Sequence, residues 1–308
     1  EYFVANRTDL LSNIPIAGTT GFATLTTNGG EVQDKGWEFS VNSKNIWTKK
    51  FRWTTSFNIS YQKNTIKKLP VDGELLSAYN DIAPTHIMKT GESVGTFWGV
   101  KYLGVNPDNG DALFDDINKD GVIDFNDAQI IGKARPDFYG GLTNNFRYGN
   151  FDFLLACQFS MGNDVYNLIR PVYENLGYSN DGGLDQVFAN NGTSVLKRWR
   201  NPGDKTGVPR FAFVEKNYFE NSSMFVENAS FFRIRTVNLG YTFNKQKIHF
   251  INSLRLYAQV QNLFVFTKYS GFDPEVSSTG GNNDRTAGVD YAAYPQPRVF
   301  TFGLNLNF

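Results

Sequence analysis

The sequence contains few of the residues on which disulfide frameworks, metal centres and nucleophilic active sites depend. Cys157 is the only cysteine among 308 residues, so neither an internal disulfide nor a thiolate metal site can form. The two histidines, His86 and His249, have no H-x-x-H spacing around them, which leaves no zinc or hydrolase motif. Basic and acidic residues number 30 each, and this balance argues against nucleic-acid binding, which requires a basic surplus. We therefore predict that the chain is not an enzyme and binds no nucleic acid.

Long apolar runs are also missing, because no segment approaches the roughly 18 apolar residues of a transmembrane helix. The chain is instead rich in Phe (28), Tyr (15) and Gly (29), which is typical of an all-β protein with many turns. It begins "EYFVANRTDLL", without an initiator Met or the apolar core of a signal peptide. We therefore expect either a mature product or the later part of a longer protein.

Several segments alternate apolar and polar residues with a period of two. The clearest are "FRWTTSFNISYQ" (51–62), "FDFLLACQFSM" (151–161), "SLRLYAQVQNLF" (253–264) and "RVFTFGLNLNF" (298–308). Such alternation predicts strands with one face against apolar material and the other against water. Two architectures fit it: a soluble β-sandwich, which buries the apolar face against a second sheet, and a transmembrane β-barrel, which turns that face to lipid.

Three features favour the antiparallel transmembrane β-barrel. The alternating segments are about 9–12 residues long, which exceeds the usual sandwich strand of ~5–6 and suits a tilted span. Their apolar faces begin or end in aromatic residues such as Trp47, Trp53 and Phe308, as interfacial girdles do. The connections come in two sizes, as in barrels with turns on one side and loops on the other. The short ones are 48–50, 149–150 and 244–252, and the long ones are 11–35, 64–93, 116–137, 163–229 and 265–297.

The number of strands follows from requiring all short turns to lie on one side of the membrane. A single strand at 94–104 would break this rule, and a further short strand at 110–116 restores it. The sequence thus predicts ten strands, at 1–10, 36–47, 51–62, 94–104, 110–116, 138–148, 151–162, 231–243, 253–264 and 298–308.

The stretch "DDINKDGVIDFND" (115–127) has the oxygen spacing of an EF-hand-like calcium loop, with Gly121 at the sharp turn. Asp127 stands where a bidentate Glu is usual. We predict a structural Ca²⁺ site that fixes a long loop, and the alternative is a solvated turn without metal. The predicted metal ligands are Asp116, Asn118, Asp120, Val122 (through its carbonyl), Asp124 and Asp127.

Aromatic residues in the long loops could stack on sugar rings or peptide side chains, although packing of loop against loop would explain them equally well. The candidates for substrate binding are Tyr173, Tyr178, Trp199, Tyr218, Phe219 and Tyr269.

Several stretches together resemble the C-terminal part of SusC-type TonB-dependent outer-membrane transporters of the Bacteroidota. They include "GESVGTFWGVKYLGV", "DINKDGVIDFNDAQIIGKARPDFYGGLTNNF", "LRLYAQVQNLFVFTKYSGFDPEV" and the closing "FGLNLNF". The resemblance implies that residues 1–308 are the last ten strands of a 22-stranded barrel in the outer membrane of a Gram-negative bacterium, with the plug and first strands absent.

The same resemblance implies a function. It suggests import of oligosaccharides or peptides with a SusD-like surface lipoprotein, driven by TonB through the missing plug. It also implies that Phe308 is a signal for the outer-membrane assembly machinery. The alternative from a different class is a secreted calcium-dependent glycan-binding β-sandwich.

Overall fold

A computed structural model describes residues 1–22, 24–71, 73–77, 85–174, 191–212, 217, 221–244, 251–278 and 284–307. Strands dominate these ranges, and their one α-helix is the single turn α1, Arg170–Tyr173. Short 3₁₀ turns lie at Gly18–Thr20, Phe125–Asp127, Thr193–Lys197, Ser223–Phe225 and Asp284–Thr286. None of the helices described could cross a membrane by length and apolar character.

The strands, numbered in chain order, are β1 Tyr2–Pro15, β2 Thr24–Trp47, β3 Phe51–Lys68, β4 Leu75–Ser77, β5 His86–Met88, β6 Thr96–Val100, β7 Tyr102–Val105, β8 Ala112–Phe114, β9 Ala128–Lys133, β10 Phe138–Tyr148, β11 Phe151–Met161, β12 Asp164–Asn167, β13 Val226–Asn228, β14 Phe231–Asn244, β15 Ser253–Thr267, β16 Val289–Asp290 and β17 Val299–Asn307.

Eight of these strands form one antiparallel sheet, which we call the wall, in the order β1-β2-β3-β10-β11-β14-β15-β17. At its centre β10 pairs along its whole length with β3 and with β11, without a register shift. The strands predicted at 1–10, 36–47, 51–62, 138–148, 151–162, 231–243, 253–264 and 298–308 correspond to these eight. The prediction of an all-β, antiparallel fold is confirmed.

Two predicted strands do not belong to the wall. The segment 94–104 divides into β6 and β7, and β6 lies in a separate sheet of order β4-β5-β6-β9. Within 110–116 only β8 is a strand, and it pairs with β7 as a small hairpin. Phe97 and Val100 are fully buried, so the apolar residues of β6 reflect a core between loops and not a lipid-facing surface. The requirement that all short turns lie on one side of the membrane is still met, because β3 pairs directly with β10. Any even number of wall strands between these two meets the requirement, and zero does so as well as the two that were predicted.

Two segments predicted as loops are partly strand. Within 11–35, β1 continues to Pro15 and β2 starts at Thr24, so the first two wall strands form a long hairpin. Within 64–93, β3 continues to Lys68 and the short strands β4 and β5 follow. These extensions have little apolar alternation, which was the signal on which the prediction relied.

One face of the wall is apolar and carries two groups of aromatic rings. Trp37 stacks on Tyr61 with ring centroids 6.1 Å apart, and Phe138 lies 5.1 Å from Tyr61. Nearer the short turns, Trp53 stacks on Phe146 at 5.5 Å. The stretch of β3 from Trp53 to Tyr61 is roughly 26 Å long at about 3.3 Å per residue. A strand tilt of about 40° reduces this to ~20 Å, close to the ~25 Å apolar band between the aromatic girdles of outer-membrane barrels.

The long connections fold into a layer of their own, the loop layer, on the polar side of the wall. It contains the β4-β5-β6-β9 sheet and a second sheet of order β13-β12-β16, in which β12 and β16 run parallel. A hydrophobic core holds the layer together, formed by Phe97, Tyr166, Leu168, Met224, Phe225 and Val289. A second cluster joins it to β2 and β3, and comprises Val32, Ile66, Leu69, Met88 and Val94.

Candidate functional site

The polar face of the wall carries an ion pair that reaches across three strands. Arg255 on β15 donates to Asp152 on β11, from Nε to Oδ1 at 3.0 Å and from Nη2 to Oδ2 at 2.5 Å. Gly240 of the intervening strand β14 lies beneath them, and a Cβ there would be 2.5 Å from Arg255 Nη2 and 2.6 Å from both Asp152 oxygens. Only glycine therefore leaves the space in which these two side chains meet.

A cavity of about 460 Å³ opens beside this ion pair. Arg52, Arg147 and Arg255 line it, and Asp152 is the only acidic residue among the described residues of the lining. The guanidinium of Arg52 lies 4.6 Å from the ring centroid of Trp47, within the range of a cation–π contact. This part of the polar face is thus net positive, which favours an anionic or neutral polar contact over a cationic one.

Asp34 on β2 connects the wall to the loop layer. Its carboxylate is 1% exposed and pairs with Arg7, and Oδ1 accepts from Gln62 Nε2 at 3.0 Å and from Asn64 Nδ2 at 2.7 Å. The other side of Asn64 faces the loop layer, where its Oδ1 accepts from the backbone N–H of Val94 at 2.9 Å. A continuous hydrogen-bonded path therefore fixes the loop layer on the polar face.

The predicted calcium loop is folded by its own polar side chains. Asp116 accepts from the backbone N–H groups of Lys119 at 2.6 Å and Gly121 at 3.0 Å. Asp120 accepts from the N–H of Val122 at 2.8 Å. Gly121 has a φ of +82°, in the left-handed region that favours glycine. The sharp turn expected at this glycine is present.

Asp127, the last predicted ligand, is fully buried beneath the loop. Its Oδ1 accepts from Ile117 N–H at 2.9 Å and Asn118 N–H at 3.5 Å, and its Oδ2 from Asp124 N–H at 3.1 Å. These backbone hydrogen bonds lower the pKa of the Asp127 carboxyl, and the one from the Asp124 amide contributes most. Asp124 in turn accepts from the N–H of Asn126 at 2.7 Å and caps the 3₁₀ turn.

The donor set has the hard oxygen chemistry that Ca²⁺ prefers. In the described residues, however, no three His, Cys, Asp or Glu side chains are grouped closely enough to hold a metal ion. The carboxylates bind backbone amides and do not converge on one point. The chemistry of the ligands fits calcium, and the site itself stays a prediction.

The described aromatic candidates hold loops together. The ring of Trp199 covers Gly110, and that of Tyr173, at the end of α1, covers the chain at 192. Tyr269 is 6% exposed, and its hydroxyl donates to Asp290 Oδ2 at 2.6 Å. Their role in substrate binding stays a prediction. The other predicted functional residues lie outside the described residues: Tyr178, Tyr218, Phe219 and Phe308.

The loop layer also contains a partly buried ion network that the sequence analysis missed. Arg170 donates from Nε to Glu174 Oε2 at 2.9 Å and from Nη1 to Glu227 Oε1 at 3.1 Å. The N–H and hydroxyl of Ser270 both donate to Glu227 at 2.8 Å. The i,i+4 spacing of Arg170 and Glu174 was the one signal in the sequence. Glu227 and Ser270 are far apart in the chain, so only the folded topology reveals their contact.

His86 is a second missed feature. Its imidazole is 1% exposed, with Nδ1 2.8 Å from the hydroxyl of Thr85 and Nε2 2.9 Å from the carbonyl oxygen of Ala287. The Nε2 nitrogen must carry the proton to donate to that carbonyl. The residue thus joins β5 to the segment before β16.

Comparisons with known proteins agree with this geometry. No protein-family model matches the sequence. TonB-dependent receptor P3 of Formosa agariphila is 35% identical over 337 residues, which cover 100% of this chain and 32% of that protein. TonB-dependent receptor SusC of Bacteroides thetaiotaomicron is 33% identical over 316 residues, covering 97% of this chain and 29% of that protein. The solved structure of the RagAB peptide transporter superposes with a TM-score of 0.81 at 22% identity, over 100% of this chain and 33% of that chain.

The fold is therefore that of a TonB-dependent transporter barrel, of which the eight-stranded wall is one part. The chain belongs to the SusC-type TonB-dependent receptors and spans about a third of the length of the relatives it matches. Receptors of this type are β-barrels of the outer membrane, which is the location of this chain. The resemblance found in the sequence is confirmed, and the β-sandwich alternative is overturned.

Proposed function

We propose that this chain is part of an outer-membrane importer that takes up oligosaccharides or peptides. The observation that carries the proposal is the two-faced wall, which has aromatic girdles on its apolar face, arginines and amides on its polar face, and a packed loop layer on its polar side. A polar lumen under a loop layer suits passage of a hydrophilic solute. The matched relatives are receptors by name, and we propose no catalytic role.

We propose further that the complete protein works with a SusD-like surface lipoprotein and with TonB. Support comes from the family, whose members are named TonB-dependent receptors, and from the fold shared with the RagAB transporter. Assembly by the outer-membrane machinery, with Phe308 as part of its signal, belongs to the same proposal.

Deletion of the gene in its host, followed by complementation, tests the import function. We expect the deletion strain to lose uptake of at least one class of labelled oligosaccharide or peptide, and the complemented strain to regain it. A tagged full-length protein should copurify with a lipoprotein encoded beside it in roughly equal amounts. Unchanged uptake of every compound after deletion would contradict the proposal.

We also propose that the loop 116–127 binds Ca²⁺ as a structural ion. Support comes from the EF-hand spacing of its oxygens, the left-handed turn at Gly121 and the acidic residues Asp116, Asp120 and Asp124 in one short loop. These carboxylates repel one another unless a cation lies between them. The bound ion would contribute only to the rigidity of the loop.

Asp120→Asn removes one charge and keeps the oxygen that accepts from the Val122 N–H, so the apo loop should stay folded. Hydrogen exchange of residues 116–137 in the full-length protein should slow on adding Ca²⁺ and recover with EDTA. We expect Asp120→Asn to weaken calcium binding, measured by calorimetry, by about tenfold or more. Asp108→Asn, the same change in another exposed turn, should have no effect. If Ca²⁺ does not change the hydrogen exchange of this loop, the calcium proposal is wrong and the loop is a solvated turn.

A further inference from the structure

A second cavity, of about 490 Å³, lies where the loop layer meets the polar face of the wall. Tyr139, Gln158 and Ser160 of strands β10 and β11 contribute its wall side. Asp164 and Glu275 are among the residues that the loop layer contributes. Its volume falls within the ordinary range of small-molecule sites, about 300–1,000 Å³.

The carboxylates of this cavity already have partners inside the protein. Glu275 Oε2 lies 3.5 Å from Arg235 Nη1 and 3.6 Å from Arg233 Nε. Asp164 Oδ2 accepts from the backbone N–H of Lys133 at 3.3 Å. Arg135 adds a positive charge to the lining. With one cation against two compensated carboxylates, the cavity has no strong charge that would require an ionic ligand.

The neutral groups of the lining are hydroxyls, amides and an aromatic ring. Tyr139 is 38% exposed, and its hydroxyl is only weakly engaged, 3.5 Å from Gln62 Oε1. In the described part of the chain, the Gln158 side chain makes one long hydrogen bond, from Nε2 to Glu275 at 3.4 Å. Ser160 donates to Asn163 Oδ1 at 3.2 Å. An open ring beside amide and hydroxyl groups can stack on a sugar ring and bind its hydroxyls.

A peptide fits this cavity less well. One common way to hold an extended peptide is through main-chain hydrogen bonds to a free strand edge. The wall strands that contribute to the cavity, β10 and β11, are paired on both sides, β10 with β3 and β11 with β14. They therefore present side chains and no free main-chain edge.

We propose that this cavity is a subsite for one or two neutral pyranose units of an oligosaccharide. The inference rests on the proposed import function and names its substrate class. A sugar ring stacks on Tyr139, and its hydroxyls hydrogen-bond to Gln158, Ser160 and Asn163.

The test uses the full-length protein, purified from outer membranes in detergent. The probes are neutral hexasaccharides of α-glucan, β-glucan, xylan and mannan, together with a tryptic digest of casein, and binding is measured by calorimetry. Cells that carry each variant are assayed for uptake of the same compounds. The variants are Gln158→Ala and Tyr139→Ala. The matched control is Gln261→Ala, which removes a glutamine from the polar face of β15 away from the cavity.

We expect one of the hexasaccharides to bind, and Gln158→Ala and Tyr139→Ala each to weaken its binding about three- to tenfold, with Gln261→Ala unchanged. If the cavity variants bind a hexasaccharide as tightly as the control, the subsite is wrong while import stands. If only casein peptides bind and enter cells, the sugar assignment is wrong while import again stands. If gene deletion alters the uptake of nothing, the proposed function fails and the subsite with it.

Discussion

Lowering the pH from 7.5 to 5.0 is expected to loosen the loop layer around His86. This imidazole is 1% exposed and lies against the ring of Phe97, with centroids 5.0 Å apart. Burial lowers the pKa of His86 from 6.5 to about 4, and the hydrogen bond to the carbonyl of Ala287 offsets part of that shift. At neutral pH the residue is therefore uncharged and fits its site.

The sign and size of the effect follow from this depressed pKa. The opened segment takes up a proton near pH 6.5, whereas the folded one does so only near pH 4. The free energy needed to open the segment is therefore highest above pH 6.5. It falls by about 1.4 kcal/mol for each pH unit below that value and stops falling near pH 4. At pH 5.0 the loss is about 2 kcal/mol, or roughly a 30-fold larger opening equilibrium.

Hydrogen exchange of the full-length protein, corrected for intrinsic rates, measures this opening in residues 86–100 and 284–290. We expect about 30-fold less protection at pH 5.0 than at pH 7.5. His86→Gln should remove most of that difference, whereas His249→Gln, the same change at the other histidine, should preserve it. If the His86→Gln protein loses protection as strongly as the wild type, other groups cause the change and the reasoning is refuted.

Two further predictions concern the wall. Gly240→Ala should lower the stability of the full-length protein in thermal denaturation by about 0.5–1 kcal/mol, because its Cβ would displace the solvent-screened ion pair of Asp152 and Arg255. In a background that carries both Asp152→Ala and Arg255→Ala, the same change should cost nothing. In lipid-reconstituted Cys157→Ser protein, a nitroxide at Phe302→Cys should be relaxed by oxygen and one at Thr301→Cys by an aqueous nickel chelate, since neighbouring strand residues face opposite sides. Equal or reversed responses would contradict the assignment of the two faces.

The wall strands could be predicted because each repeats one environment along its length. In β17, Phe300, Phe302 and Leu304 are 60–81% exposed on the apolar face, so apolar side chains recur at every second position of the sequence. β6 could not be distinguished in this way. Its Phe97 and Val100 are apolar because they are buried in the loop layer, and an apolar residue does not reveal whether lipid or protein covers it.

The candidate sites divide along the same line. The loop 116–127 could be found in the sequence because its groups are close together in the chain. The pair of Asp152 and Arg255 could not, since it depends on the register of β11, β14 and β15 and on a glycine between them. The cavity at the edge of the loop layer likewise joins segments that meet only through topology.

The direct pairing of β3 with β10 has a consequence for how these receptors diverge. It closes residues 69–137 into a single excursion from a sheet whose register does not depend on their number. Doubling the length of such an excursion costs only about 0.6 kcal/mol in closure entropy. Two relatives align to these 308 residues over 337 and 362 positions, so each carries insertions somewhere along the part that matches this chain. Related receptors can therefore retain the sheet during evolution while insertions accumulate in the segments that connect its strands.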